Sequence, residues 1–385
     1  MRIAVISTMD GLDWGGSEEL WTAMANAALT AGHDVLVSVN RWERKPAPVV
    51  ALERAGAEIH PRSRVRQRAL YRSQPPVALP FPLRRLRRFD PDVVCLSHGA
   101  TWDVARDPGM FASLGRYLGD RRVPYVPVCQ YNTSYDPLTD DERRRARAYF
   151  GGAATVAFVA AANRDAAERL IAERLPRTVL IQNPVTVTPT VLPWPTGSVP
   201  AFACVARLDA GAKGQDILLE ALAADGWRAR EWRLTLYGAG PHLAWLRAIA
   251  HHYELDRRVT FGGHAPDIVA IWRRHHMLVL PSRAEGTPLS LLEAMALARP
   301  SVVTDVGGNR EWVDPDETGF VAAAATAASI GDALETSWKA RDRWRSMGLK
   351  AHEALVQRYD PTPGATLLHL LQQASGQLGP RALPS

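Results

Sequence analysis

The sequence predicts an α/β protein of two doubly wound, Rossmann-like domains facing across a cleft, and three observations predict it. Short β-branched runs alternate with longer amphipathic runs from the first residues onward. The alternation breaks at a proline-rich stretch and then restarts. The 385 residues, 46% hydrophobic and 22% charged, suffice for about two domains of roughly 150 residues each. Strands separated by helices pair in parallel through crossovers, and parallel sheets bind ligands at the carboxyl ends of their strands.

In the first half, strand-like runs lie at 3–7, 35–39, 93–96 and 125–129, with helix-like runs at 17–31 and 49–55. Residues 184–200 contain Pro184, Pro189, Pro193, Pro195 and Pro200, too many for a helix or a central strand. We read this stretch as the inter-domain linker, with domains at 1–183 and 184–360. Beyond it, strands are predicted at 202–206, 233–237, 259–261, 277–280 and 301–304, and helices at 215–224, 243–252 and 288–297. A final helix-like stretch, 365–374 within a segment of about 361–375, is expected to pack back on the first domain, followed by a loose tail at 376–385.

The net charge is +6. It is carried by residues 1–183, with 26 Lys and Arg against 20 Asp and Glu, while 184–385 are balanced at 20 against 20. Arg62, Arg64, Arg66, Arg68 and Arg72, then Arg84, Arg85, Arg87 and Arg88, have no acid among them before Asp90, and Arg143, Arg144, Arg145 and Arg147 form a second cluster. Such runs are solvated faces or docking surfaces for anionic lipid or an acidic acceptor. No stacking motif or recognition helix accompanies them, which argues against nucleic acid. Cys95, Cys129 and Cys204 sit far apart in apolar runs and read as buried free thiols of a reducing compartment. The start lacks a signal-peptide core, and no apolar stretch reaches the ~20 residues of a membrane span. A cytoplasmic protein is expected, meeting a membrane only peripherally on its inner face.

Two segments carry chemistry. Residues 281–296 follow a strand end, turn at Gly286 and enter a helix, with Thr287 as candidate N-cap and Pro288 at the first helical position. A helix start of this kind binds phosphate through its N–H groups and dipole. Glu285 and Glu293 flank it. A carboxylate does not neutralise a phosphate, so hydrogen bonds to sugar or ribose hydroxyls explain the pair better; alone, two glutamates eight apart also fit solvated helix-end charges. Residues 205–216 again combine a strand end, a loop and a helix start. Arg207 and Lys213 there can clamp a diphosphate, and Lys213 is one of only four lysines.

These segments resemble the family 4 retaining glycosyltransferases of the GT-B fold, glycosyl transferases group 1. The likeness is carried by Ala206-Arg207-Leu208 with Lys213-Gly214, by Leu236-Tyr237-Gly238-Ala239-Gly240-Pro241, and by Leu280-Pro281-Ser282 before the Glu285 and Glu293 pair. It continues through Ala294-Met295-Ala296, Asp305-Val306-Gly307-Gly308 with Glu311, and Glu317-Thr318-Gly319, and Asn183-Pro184 also fits. The resemblance implies that Arg207 and Lys213 bind the donor pyrophosphate, Glu293 the ribose, and Glu285 the donor sugar. Gly286, Thr287, Pro288, Leu289 and Ser290 would border phosphates and sugar, and Gly238 and Gly240 would let the backbone pass close to the nucleotide. An NAD fingerprint fails because Leu243 replaces its third glycine. In the acceptor-side first domain, Gly15-Gly16 would line the phosphate and acceptor side, with Ser17 equally an N-cap. His98 would reach the donor sugar as a catalytic residue beside Glu285, Arg207 and Lys213. The family often carries a histidine near residue 130; here Gln130 or Asn132 would supply that hydrogen bond.

The implied activity is hexosyl transfer from a nucleotide diphosphate sugar to a hydroxyl acceptor, a glycan, lipid-linked glycan or small molecule, in polysaccharide, glycolipid or related synthesis. No cofactor and no metal is expected: the pairs His251-His252 and His275-His276 diverge on a helix, and Asp90-Pro91-Asp92 and Asp314-Pro315-Asp316 read as turns. The alternatives are a nucleotide-sugar epimerase or hydrolase of the same fold and a non-catalytic Arg-rich binder of membrane surfaces.

Overall fold

The computed structural model describes residues 1–10, 14–63, 81–132, 136–264 and 267–376. The chain divides into two compact units, Met1–Pro184 with Asp360–Ser385, and Val185–Tyr359.

The first unit is built on seven parallel strands, β1 (Arg2–Ser7), β2 (Asp34–Asn40), β3 (Glu58–Arg62), β4 (Val93–His98), β5 (Tyr125–Cys129), β6 (Val156–Phe158) and β7 (Thr178–Leu180), in the order β3-β2-β1-β4-β5-β6-β7. The order reverses at β1 and β4, which pair directly from Ile3 opposite Val93 to Ser7 opposite Ser97. The central strands are apolar runs because helices cover both faces. Helix Gly16–Thr30 starts one residue before the sequence reading, with Gly15 rather than Ser17 as N-cap at φ −152°. Helices Pro108–Arg121, Asp140–Gly151 and Ala161–Ile171 were not read from the sequence. The chain returns at its end: helix Pro363–Ala374 buries Leu367, Leu368, Leu370 and Leu371 in the core beside Ile3, Val5 and Leu20. Gly364 allows the contact, since a Cβ there would lie 2.5 Å from the carbonyl carbon of Ala23. Nearly all of the tail at 376–385 lies outside the described residues.

The second unit repeats the plan with β8 (Ala201–Val205), β9 (Arg233–Tyr237), β10 (Val259–Gly263), β11 (Met277–Leu280), β12 (Ser301–Thr304) and β13 (Gly319–Ala322), in the order β10-β9-β8-β11-β12-β13. Its switch point falls between β8 and β11. Residues 184–200 hold no helix or strand. Within them Val185, Val187 and Leu192 pack into the second unit's core beside Leu291 and Leu292.

The basic clusters also differ from a uniform solvated face. Arg62 is buried and donates to Ser7 O, to Ser38 Oγ at 3.0 Å and to Asn40 Oδ1 at 3.3 Å. Arg64, Arg66, Arg68 and Arg72 lie outside the described residues. Arg143 and Arg144 pair with Asp140 and Asp141 one turn earlier, and Arg145 and Arg147 donate to Ala105 O and Ile171 O. Arg84, Arg85, Arg87 and Arg88 are exposed on helix Arg84–Phe89. Cys95, Cys129 and Cys204 are buried free thiols in β4, β5 and β8, and burial pushes Cys95 and Cys204 up to about 12.

Candidate functional site

In the second unit the loops that leave β8 and β11 lie side by side, because those strands are neighbours. The N–H groups of Arg283 and Ala284 both donate to Ala212 O, at 2.8 and 3.2 Å. The Arg283 guanidinium adds Ala210 O at 2.6 Å and both oxygens of Asp216 at 2.6 and 2.8 Å. Nothing in the sequence singled out Arg283 or Asp216; they sew the two loops together. Gly214, at φ +64°, completes the seam, since a Cβ there would meet Pro281 O at 2.0 Å.

The seam delivers the charged residues to one place. Lys213 Nζ lies 2.7 Å from both carboxylate oxygens of Glu285, and Ser282 Oγ donates to Glu285 Oε1 at 2.7 Å. Glu285 is only 4% exposed, so its charge is satisfied by designed partners rather than by water. Ser282 is held in turn by Thr304 Oγ1, which donates to its carbonyl at 2.6 Å. Arg207 pairs with Asp209, and Gln215 Nε2 holds Arg207 O at 2.7 Å.

The helix after this loop is Leu289–Ala296, with Pro288 as N-cap at φ −68° and ψ 127° and no side-chain cap. This shifts the predicted start by one: Thr287 precedes the cap. Leu291 N–H bonds back to Pro288 O at 3.2 Å, so the N–H groups of Leu289 and Ser290 are among those a helix leaves without internal partners. Gly286 O accepts from Gly308 N–H at 2.7 Å. Glu293 is buried within the helix and accepts from Thr186 Oγ1. Gly238, at φ +125°, and Gly240 are required by local packing. A Cβ on them would meet Ala206 O at 2.1 Å and Leu208 O at 2.4 Å, so the space they spare holds the neighbouring loop.

A cationic clamp, two carboxylates and an open helix start on one sheet edge coincide with a family match: residues 199–339 fit the family described as "Glycosyl transferases group 1". The family resemblance seen in the sequence thus coincides with a family match confined to the second unit. It is 33% identical over 175 residues to a GDP-mannose-dependent alpha-(1-6)-phosphatidylinositol monomannoside mannosyltransferase of Mycobacterium tuberculosis, covering 42% of this chain and 44% of that one. It is 36% identical over 127 residues to the lipopolysaccharide core biosynthesis mannosyltransferase LpcC of Rhizobium leguminosarum, covering 32% and 35%. The chain thus spans less than half the length of these curated relatives. The structure of Anabaena Alr3699/HepE in complex with UDP-glucose superposes with a TM-score of 0.71 at 17% identity, covering 98% of this chain and 100% of that one. Sucrose-phosphate synthase from Thermosynechococcus elongatus gives 0.70 at 16%, covering 98% and 100%. The fold is GT-B.

In the first unit the predicted site residues fare unevenly. His98 is fully buried at the end of β4: Nδ1 faces Thr101 O at 3.1 Å, Nε2 faces Tyr149 Oη at 2.8 Å, and the ring stacks on Tyr149. Burial pulls its pKa down to about 4. This corrects the catalytic reading: with both ring nitrogens engaged in the core, His98 braces Tyr149 and the loop at Thr101. Gln130 and Asn132 follow β5 and are 5% and 6% exposed. Both polar atoms of Gln130 and Oδ1 of Asn132 have no protein partner, whereas Asn132 Nδ2 donates to Asn163 O at 3.2 Å.

Two buried carboxyls that motif reading did not single out lie on the same edge. Glu18 accepts from Ser7 Oγ at 2.8 Å and from Trp21 Nε1, and burial raises its pKa to about 7 against the pull of Arg62. Asp103 accepts from Thr8 Oγ1 at 2.5 Å and Ala100 N–H at 2.9 Å, and burial raises it to about 6. Glu18 directly follows Gly15-Gly16 and Ser17, and its burial distinguishes it from the neighbouring Ser17 and Glu19. Among the described residues no group of three His, Cys, Asp or Glu side chains gathers as a metal site.

Proposed function

We propose that this protein is a retaining glycosyltransferase that moves a hexosyl group from a nucleotide diphosphate sugar to a hydroxyl acceptor. The observation that carries the proposal is the joining of the β8 and β11 loops, which sets Arg207, Lys213, Glu285 and the uncapped start of helix Leu289–Ala296 on one edge of the second sheet. The donor diphosphate takes the cations and the helix N–H groups, Glu293 takes the ribose, and Glu285 the transferred sugar. As the bond from the anomeric carbon to the diphosphate breaks, positive charge already in place stabilises the leaving oxygen. That charge work needs no metal in this scheme. The buried Glu285, bound by Lys213 and Ser282, is suited to orienting a sugar hydroxyl rather than to attack. Retention is therefore assigned to a front-face route: the acceptor oxygen bonds to the anomeric carbon on the face the diphosphate leaves, and a diphosphate oxygen takes the acceptor's proton.

Gln130 and Asn132, with amide atoms lacking protein partners, suit hydroxyl recognition in the first unit. A glycan or lipid-linked glycan acceptor fits the relatives named above. The exposed face of helix Arg84–Phe89 suits an anionic membrane surface, and the free buried thiols suit a reducing cytoplasm. The test is a panel of nucleotide sugars with and without added acceptor and chelator, the wild type being compared with Arg207→Ala. Acceptor-dependent product is expected with chelator present, and the variant should lose about 100- to 1,000-fold in kcat/KM. Full activity in Arg207→Ala, or a product formed identically without acceptor, sinks the assignment.

A further inference from the structure

The proline-rich segment does more than connect. Val185 N–H donates to Tyr359 Oη at 2.6 Å, and Thr190 N–H donates to Ala296 O at 2.9 Å, at the end of helix Leu289–Ala296. Arg299, fully buried, grips the segment's far end through Leu192 O at 3.4 Å and Pro193 O at 2.7 Å. Its other N–H groups are taken by carbonyls of Trp272, His275, Leu297 and Ala298, and Trp194 lies against its guanidinium plane at 5.4 Å. Residues 185–193 therefore form a strap laid along that helix and fastened at both ends. Between the fastenings, Thr186 Oγ1 donates to Glu293 Oε1.

We propose that Thr186 is a positioning residue: it fixes the Glu293 carboxylate in the rotamer that receives the donor ribose, and the strap thereby sets how strongly the site demands a ribose 2′-hydroxyl. This rests on the donor reading given above. Glu293 is 5% exposed, so its carboxylate depends on protein donors for stabilisation, and a hydroxyl donor also restricts a side chain that would otherwise sample several rotamers. Proline density suits the task. Proline fixes φ and limits the alternatives of an extended segment, so Thr186 is presented with little motion of its own.

The experiment is calorimetric titration of the full chain with UDP, GDP and their 2′-deoxy forms, for the wild type, Thr186→Val, Thr186→Ala and Thr186→Ser, with a thermal melt of each. The wild type should prefer the ribo form of its nucleotide by about tenfold or more, as a site with a buried polar partner does. Thr186→Val and Thr186→Ala should each lose about tenfold in affinity for the ribo form and shrink the preference to about twofold, with kcat at saturating donor within about threefold. Thr186→Ser, which keeps the hydroxyl, should restore both affinity and preference. Variants that fold, bind ribo forms as the wild type does and keep the full preference overturn the assignment, as does a serine variant no better than valine. A wild type that binds neither nucleotide overturns the donor reading itself and the assignment with it.

Discussion

In the second unit the loops beyond β8 and β11 are closed on each other by Arg283, Ala212 O and the Lys213–Glu285 pair, whereas in the first unit the groups beyond β1, β4 and β5 include buried titratable carboxyls and amide atoms without protein partners. The family match follows the same division, covering 199–339 and no part of the first unit. Loops locked by spaced charged and glycine residues leave motifs that a family model can match, whereas groups held by burial alone, such as Glu18 and Asp103, leave no repeated spacing.

The sharpest way to break this comparison is steric. Gly238→Ala places a methyl against Ala206 O at a φ of +125°, and the second unit should lose about 3 kcal/mol in urea unfolding. Gly115→Ala, within helix Pro108–Arg121 of the first unit with nothing within 4 Å of the new methyl, should be neutral or gain up to about 1 kcal/mol. Equal losses would remove the distinction between a locked and a looser region.

The next test uses pH. Glu18 rises from 4.5 to about 7 on folding, so between those values the folded chain holds a proton that the unfolded chain releases. Stability from this group is present below pH 4.5 and lost as pH climbs through 7. His98, lowered from 6.5 to about 4, works in the opposite sense, losing stability as pH falls through that window. Glu18→Gln should isolate the first contribution: its unfolding free energy should drop less than the wild type's between pH 5 and 7.5, by about 2 kcal/mol. Identical pH slopes would show that Glu18 is ionised throughout. The smallest effect is expected at Arg144→Ala. Its pair with Asp141 is about two-thirds exposed on both sides, and denaturation should shift by less than about 0.5 kcal/mol.

Much of the fold was legible because parallel strands buried on both faces are plain apolar runs, as at β1, β4 and β12. Helix Asp140–Gly151 was hidden by its own composition, since DDERRRARAYFG reads as a charge cluster although Ala146, Tyr149 and Phe150 face inward at helical spacing. The loops beyond β8 and β11 were legible as strand ends leading to helix starts, but the N-cap slipped from Thr287 to Pro288 because a proline in extended conformation can close a loop as well as open a helix. His98 has the right type at the right strand end, and sequence carries no measure of its complete burial. Thr186 was hidden among prolines, where density of punctuation masks a side chain that faces Glu293.

Helix Pro363–Ala374 has one more consequence, and it concerns synthesis. The first unit joins residues that precede Val185–Tyr359 to residues that follow it. On the ribosome the second unit can therefore complete its core while the first still exposes the face of helix Gly16–Thr30 that Leu367 and Leu371 will cover. Of the two units, the one begun earlier is finished later, and the waiting surface is the one a chaperone would meet.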